Sequence, residues 1–134
     1  MTEKQYKILL ADDDPDYLFQ IKTKLENFGY EVITAESQKE AENILKQFQP
    51  HLAIFDLMME NDDSGFILAY RCKSRYPEVP VIIATNVAAE TGISFRLQEQ
   101  SNWIKADLYL EKGVQTEQLR ENVTKLLNKT YGKL

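Results

Sequence analysis

The sequence predicts an α/β fold, a doubly wound five-stranded parallel sheet of strand order 2-1-3-4-5 with helices on both faces. Two observations predict it. Five short apolar runs alternate with amphipathic stretches of helical period. Three of the runs, 7–11, 52–55 and 79–84, are apolar nearly throughout, as strands covered on both faces must be. Right-handed crossovers leave few ways to connect such units, and the order 2-1-3-4-5 fits best.

The elements follow in chain order. The first strand reads Lys7-Ile8-Leu9-Leu10-Ala11. The helix after it carries Leu18, Ile21, Leu25 and Phe28 on one face, with Pro15 in its first turn and Gly29 ending it. The run 30–34 alternates and reads as an edge strand. Next, Ser37-x-x-Glu40 is a capping-box pattern opening a helix that buries Ala41, Ile44, Leu45 and Phe48 until Pro50 stops it. The third strand, 52–55, leads to a helix from Ser64 to Tyr76 with Phe66, Ile67, Tyr70 and Cys72 turned inward or partly inward. The fourth strand follows at 79–84. Residues 90–103 are weakly patterned and read as a short helix inside a long loop. The shortest run, 108–110, is the fifth strand, and the last helix carries Leu119, Val123, Leu126 and Leu127.

At 134 residues the chain fits one domain, with a core of about 6–128 and short frayed tails at 1–5 and 129–134. Hydrophobic residues make up 43% and charged residues 28%, an ordinary globular balance. No apolar run approaches the roughly 20 residues that span a bilayer, and the start has no apolar signal region. Cys72 is the single cysteine, so no internal disulfide forms; it reads as a half-buried structural thiol in a reducing cytoplasm. A formal charge of -5 without a basic stripe argues against nucleic-acid binding.

In an open α/β sheet the ligand crevice lies beyond the carboxyl ends of the strands. Asp12, Asp13 and Asp14 follow the first strand, Asp56 ends the third, Thr85 follows the fourth and Lys112 the fifth. Two carboxylates about 4 Å apart at an effective dielectric of ~20 repel by roughly 4 kcal/mol. Several in one crevice therefore call for protonation or a cation, and Mg²⁺, a hard ion taking oxygen ligands, is the natural one. Lys112 supplies a point charge for a phosphate oxygen and Thr85 a hydroxyl donor. Around Asp56 these groups compose an acceptor site for a transferred phosphoryl group. One of Asp13 or Asp14, ahead of Pro15, reads equally as a helix cap. His51 precedes the third strand, away from these ends, and reads as a surface or half-buried histidine.

These segments resemble the receiver domain of two-component response regulators over nearly the whole chain. They are 8–15 (Ile-Leu-Leu-Ala-Asp-Asp-Asp-Pro), 54–59 (Ile-Phe-Asp-Leu-Met-Met), 81–85 (Val-Ile-Ile-Ala-Thr) and 107–112 (Asp-Leu-Tyr-Leu-Glu-Lys). The resemblance implies a flavodoxin-like fold and phosphoryl transfer to Asp56 from a phosphohistidine of a sensor histidine kinase or a histidine phosphotransfer protein. It implies that Mg²⁺ is held by Asp13 directly, by Asp12 largely through water, by Asp56 and by the backbone carbonyl of Met58. Thr85 would move toward the phosphoryl group, Lys112 would pair with it, and Tyr109 would be the aromatic switch.

The chain also departs from the family pattern. The segment 60–65 is acidic and one residue longer than usual, which places Glu60 where it could modulate metal access or dephosphorylation. Asn86 stands where receivers have a small residue, and Gly113 where they have a cis-proline. The stretch between Thr85 and Lys112, with Trp103, is longer than usual and covers the face through which receivers signal. With only a short tail after the last helix, the expected output is a phosphorylation-dependent protein contact. Two other readings are a degenerate receiver acting as a binding module and a haloacid-dehalogenase-like phosphohydrolase. The intact acidic pair, Asp56, Thr85 and Lys112 oppose the first. The second needs a nucleophile in Asp-x-Asp after the first strand and a substrate cap, which has no counterpart here.

Overall fold

The computed structural model describes residues 5–86 and 106–132. Five strands, β1 (Lys7–Ala11), β2 (Glu31–Ala35), β3 (Leu52–Asp56), β4 (Val81–Thr85) and β5 (Leu108–Glu111), form one sheet. All neighbours are parallel, in the order β2-β1-β3-β4-β5. Four helices are described: α1 (Pro15–Asn27), α2 (Gln38–Gln47), α3 (Ser64–Arg75) and α4 (Thr116–Tyr131).

Alternation along each strand divides the core into two layers. Leu9, Ala53, Phe55, Val81 and Ile83 pack with Ala41 and Leu45 of α2 and Phe66, Leu68 and Cys72 of α3. On the other face Ile8, Leu10, Ile54, Ile82 and Leu110 meet Leu18, Ile21 and Leu25 of α1 and Leu119, Val123 and Leu127 of α4. Central strands therefore read apolar throughout because successive residues serve different layers. Each large apolar side chain so buried contributes about 1.5–3 kcal/mol.

The helix starts are built as the sequence predicts, with one variation. Asp14 Oδ1 accepts from the Asp16 and Tyr17 amides at 3.0 and 3.4 Å and caps α1. Ser37 Oγ accepts from the Glu40 amide at 3.0 Å, but Glu40 Oε1 takes the Glu36 amide, at 2.7 Å, in place of the Ser37 amide of a capping box. Gly29 ends α1 in the left-handed region at φ 104°.

Three packing expectations are corrected. Tyr70 points outward, 50% exposed, because its position on α3 faces away from the sheet. Cys72 is fully buried rather than half-buried, and burial pushes its thiol up to about 12. Residues 129–131 are not a frayed tail. They complete α4, where Tyr131 stacks on Tyr6 at 5.6 Å between ring centroids and its hydroxyl donates to the His51 carbonyl at 2.7 Å. His51 is half-buried in this same cluster, its Nδ1 accepting from the Lys7 amide at 2.9 Å. The short helix expected within 90–103 lies outside the described residues.

Candidate functional site

Strand ends bring the chemistry together. Asp12 follows β1 directly, and its amide donates to the Ala35 carbonyl at 3.0 Å, tying it to the end of β2. Asp56 is the last residue of β3, in register with Ala84, and the Leu57 amide donates to the Ala84 carbonyl at 2.9 Å, so the ladder continues past it. The Lys112 amide donates to the Thr85 carbonyl at 2.8 Å, which extends the β4–β5 pairing by one residue and aims the lysine inward. A cleft of about 250 Å³ opens there, lined by Asp13, Asp14, Asp56, Leu57, Met58, Thr85, Asn86 and Lys112.

Lys112 bridges two carboxylates. Its Nζ lies 2.7 Å from Asp12 Oδ2 and 2.9 Å from Asp56 Oδ1. Asp12 Oδ1 accepts from the Asp14 amide at 2.9 Å, whereas Oδ2 is buried without a well-angled hydrogen bond and faces the ammonium as an ion pair. Asp12, Asp13 and Asp56 each offer a carboxylate oxygen within 4.8 Å of the others. That spread is the size of one hard cation's coordination shell, so the donor set fits a divalent ion with oxygen ligands. Asp14, spent on capping α1, stands outside the set.

The charges are strained accordingly. Burial raises the Asp56 carboxyl; the Lys112 hydrogen bond opposes this, Asp12 and Asp13 reinforce it, and the balance lies at about 6. Burial of Lys112 works to lower its pKa, but Asp12 and Asp56 outweigh it and hold the ammonium above its ordinary value. An acid raised in the folded state takes its proton more readily there, so the fold loses stability as pH rises from about 4 to about 6. In metal-free buffer the unfolding midpoint of Asp56→Asn should gain on wild type across that window. A pH-independent difference between the two would show that Asp56 carries no such load.

The remaining predicted residues are distributed as follows. Thr85 and Asn86 line the cleft at the end of β4, Thr85 half-buried and Asn86 exposed. Met58 lines it two residues past Asp56. Tyr109 stands on β5 in register with Ile83, 38% exposed. Glu60 points elsewhere. Its carboxylate accepts from the Gln38 and Lys39 amides at 2.7 and 3.0 Å, so it serves the amino end of α2. Slight burial opposes ionisation there, but those backbone donors hold its carboxyl below the ordinary value. The Lys112–Gly113 bond is trans, as every described peptide bond is.

Two residues of the site have no strong sequence signal. Tyr17 of α1 lies beneath the lysine, its ring centroid 4.7 Å from Lys112 Nζ. Burial pushes its hydroxyl up to about 12. Gly65 brings α3 against the acceptor strand: its amide donates to the Leu57 carbonyl at 2.8 Å, and a Cβ there would lie 2.8 Å from the Asp56 carbonyl oxygen. Spacing after Asp56 hints at that glycine; the Tyr17 contact is visible only in three dimensions.

Residues 8–124 match the family described as response regulator receiver domain. The chain belongs to that family. Receivers are signalling domains of two-component systems rather than classical enzymes; they pair with histidine kinases and bind Mg²⁺ at an acidic pocket, and the phosphoacceptor role fits the cluster seen here. Among solved structures, a CheY-like receiver domain protein from Methanospirillum hungatei JF-1 has a TM-score of 0.82 at 26% identity, covering 96% of this chain and 98% of that one. The Francisella response regulator 1452 receiver domain has a TM-score of 0.78 at 27% identity, covering 94% and 99%. The transcriptional regulatory protein GlrR of Escherichia coli is 39% identical over 85 residues, 63% of this chain and 19% of that protein. The probable transcriptional regulator ycf27 of Porphyridium aerugineum is 32% identical over 124 residues, 92% and 48%. The receiver chain thus spans between a fifth and a half of the length of these curated relatives. Among the described residues, no helix is long and apolar enough to cross a membrane.

Proposed function

We propose that this receiver accepts a phosphoryl group on Asp56 from the phosphohistidine of a sensor histidine kinase or a histidine phosphotransfer protein. The observation that carries the reading is Lys112 bridging Asp12 and Asp56 beside Asp13 at the strand ends. Asp12, Asp13, Asp56 and the Met58 carbonyl would hold Mg²⁺. When bound, the ion neutralises charge on the phosphoryl oxygens.

The chain's own groups do the rest. An Asp56 carboxylate oxygen attacks phosphorus, the donor's P–N bond breaks as the new P–O bond forms, and the imidazole leaves with the electron pair. Lys112 transfers its ion pairing toward the phosphoryl oxygens, and the Thr85 hydroxyl donates to another of them. Catalysis of this kind is positioning and charge stabilisation, so the domain assists its own phosphorylation without being a turnover enzyme. Asn86, at the cleft, narrows the approach of a donor. Glu60 modulates the site through its loop, by its tie to α2. Movement of Thr85 and Tyr109 would carry the phosphorylated state to a protein target in the cytoplasm, with no nucleic-acid or membrane contact made by this domain.

Incubation with acetyl phosphate and Mg²⁺ followed by intact mass tests the acceptor. One base-labile phosphoryl adduct is expected, absent in Asp56→Asn and absent with EDTA. An adduct that survives Asp56→Asn, or none in wild type, would overturn the assignment.

A further inference from the structure

We infer that Tyr17 is a positioning residue for the acceptor site, its ring holding the Lys112 ammonium against Asp56 so that the charge is in place before transfer. The inference rests on the phosphoacceptor reading and adds to it a residue on α1, an element that supplies none of the charged groups.

A lysine is a point charge on a stem of freely rotating bonds, and fixing it costs side-chain entropy. Two of the three ammonium donors face Asp12 and Asp56 at 2.7 and 2.9 Å. Those contacts alone leave another side of the ammonium for water to approach. Tyr17 closes that side, with its ring centroid 4.7 Å from Nζ, within the distance at which a cation is attracted to an aromatic face. The ring is itself fixed. Asp14 Oδ1 accepts from the Tyr17 amide at 3.4 Å as part of the α1 cap, and the ring packs against the α1–α4 core layer. The cap therefore sets the first turn of α1, and that turn carries the ring to the lysine.

An apolar side chain of similar bulk fills the same space without a π face, which separates attraction from filling. With acetyl phosphate and Mg²⁺ at saturation, Tyr17→Leu and Tyr17→Met should slow phosphorylation about three- to ten-fold, and Tyr17→Phe should recover the wild-type rate to within about two-fold. A second measurement needs no phosphorylation. In EDTA, Tyr17→Leu should lower the unfolding midpoint more in the wild-type chain than in Lys112→Met, because the second background has no cation to hold. Equal losses in the two backgrounds, or Tyr17→Phe as slow as Tyr17→Leu, would overturn the role. A wild-type chain that takes up no phosphoryl group overturns the acceptor reading instead, and the midpoint comparison then decides the contact alone.

Discussion

Replacing Lys112 with methionine should destabilise the metal-free protein by about 1–3 kcal/mol and make it far more responsive to Mg²⁺. The lysine is the one cation bridging Asp12 and Asp56 among the described residues, and its side chain is only 13% exposed. Methionine keeps the length and removes the charge, so three clustered carboxylates face one another uncompensated. The lower end of the range applies where Asp56 escapes by taking up a proton, since its carboxyl already sits at about 6 with the lysine present. For a domain of this size the loss is a midpoint drop of roughly 3–12 °C in EDTA. Millimolar Mg²⁺ should close most of the gap, because in wild type the ion competes with the ammonium for the same oxygens and in Lys112→Met it does not. Thermal unfolding in EDTA and in Mg²⁺ measures both effects. A variant as stable as wild type in EDTA would show that the lysine does not offset the acidic cluster.

Gly65→Ala should cost about 1–3 kcal/mol and weaken Mg²⁺ binding together with it. The added methyl would meet the Asp56 carbonyl oxygen and the Leu57 Cα, both at 2.8 Å. Those are backbone atoms of the acceptor segment and have no rotamer to turn away. Either α3 retreats, stretching the Gly65–Leu57 hydrogen bond, or the end of β3 shifts and carries Met58 with it. The better helix propensity of alanine, up to about 1 kcal/mol, offsets only part of this. Gly113→Ala is the control. Nothing lies within 4 Å of a Cβ there, and its φ is not positive, so its effect should stay within about 0.5 kcal/mol. Chemical unfolding of both variants, with Mg²⁺ titration by calorimetry, gives the comparison. Equal behaviour of the two glycines would sink the packing argument.

Much of this was legible in the sequence because strand ends are local signals. Asp12, Asp56, Thr85 and Lys112 each close an apolar run, and parallel pairing then places those ends side by side. A cap by Asp13 or Asp14 ahead of Pro15 is legible in the sequence, and Asp14 is the one that makes it. Contacts between distant segments were not legible. Tyr17 reads as one more position on α1, and only the fold sets it against a lysine of the β5 end. Glu60 is similar: its position in the chain suggests the cleft, while its carboxylate accepts from the open amides at the start of α2, a contact that only the fold displays. Tyr131 follows a polar stretch and looked dispensable until its stacking on Tyr6 and its bond to His51 held the end of α4 in place. Tyr70, expected inward or partly inward with its neighbours, is half exposed because the helix face it occupies turns away from the sheet.

The Tyr6–Tyr131 stack also has a use in rewiring the chain. It joins the residue that enters β1 to the last turn of α4, at the amino ends of the strands, opposite the carboxylates. A short flexible linker across that junction would close the backbone into a ring, and new ends could then be opened at an exposed turn such as the one around Gly29. In such a circular permutant every covalent connection around Asp12, Asp56 and Lys112 is unchanged. The new ends beside Gly29 lie next to Tyr6, at the pole away from the carboxylates, so a sensor or reporter could be inserted there without disturbing the chemistry.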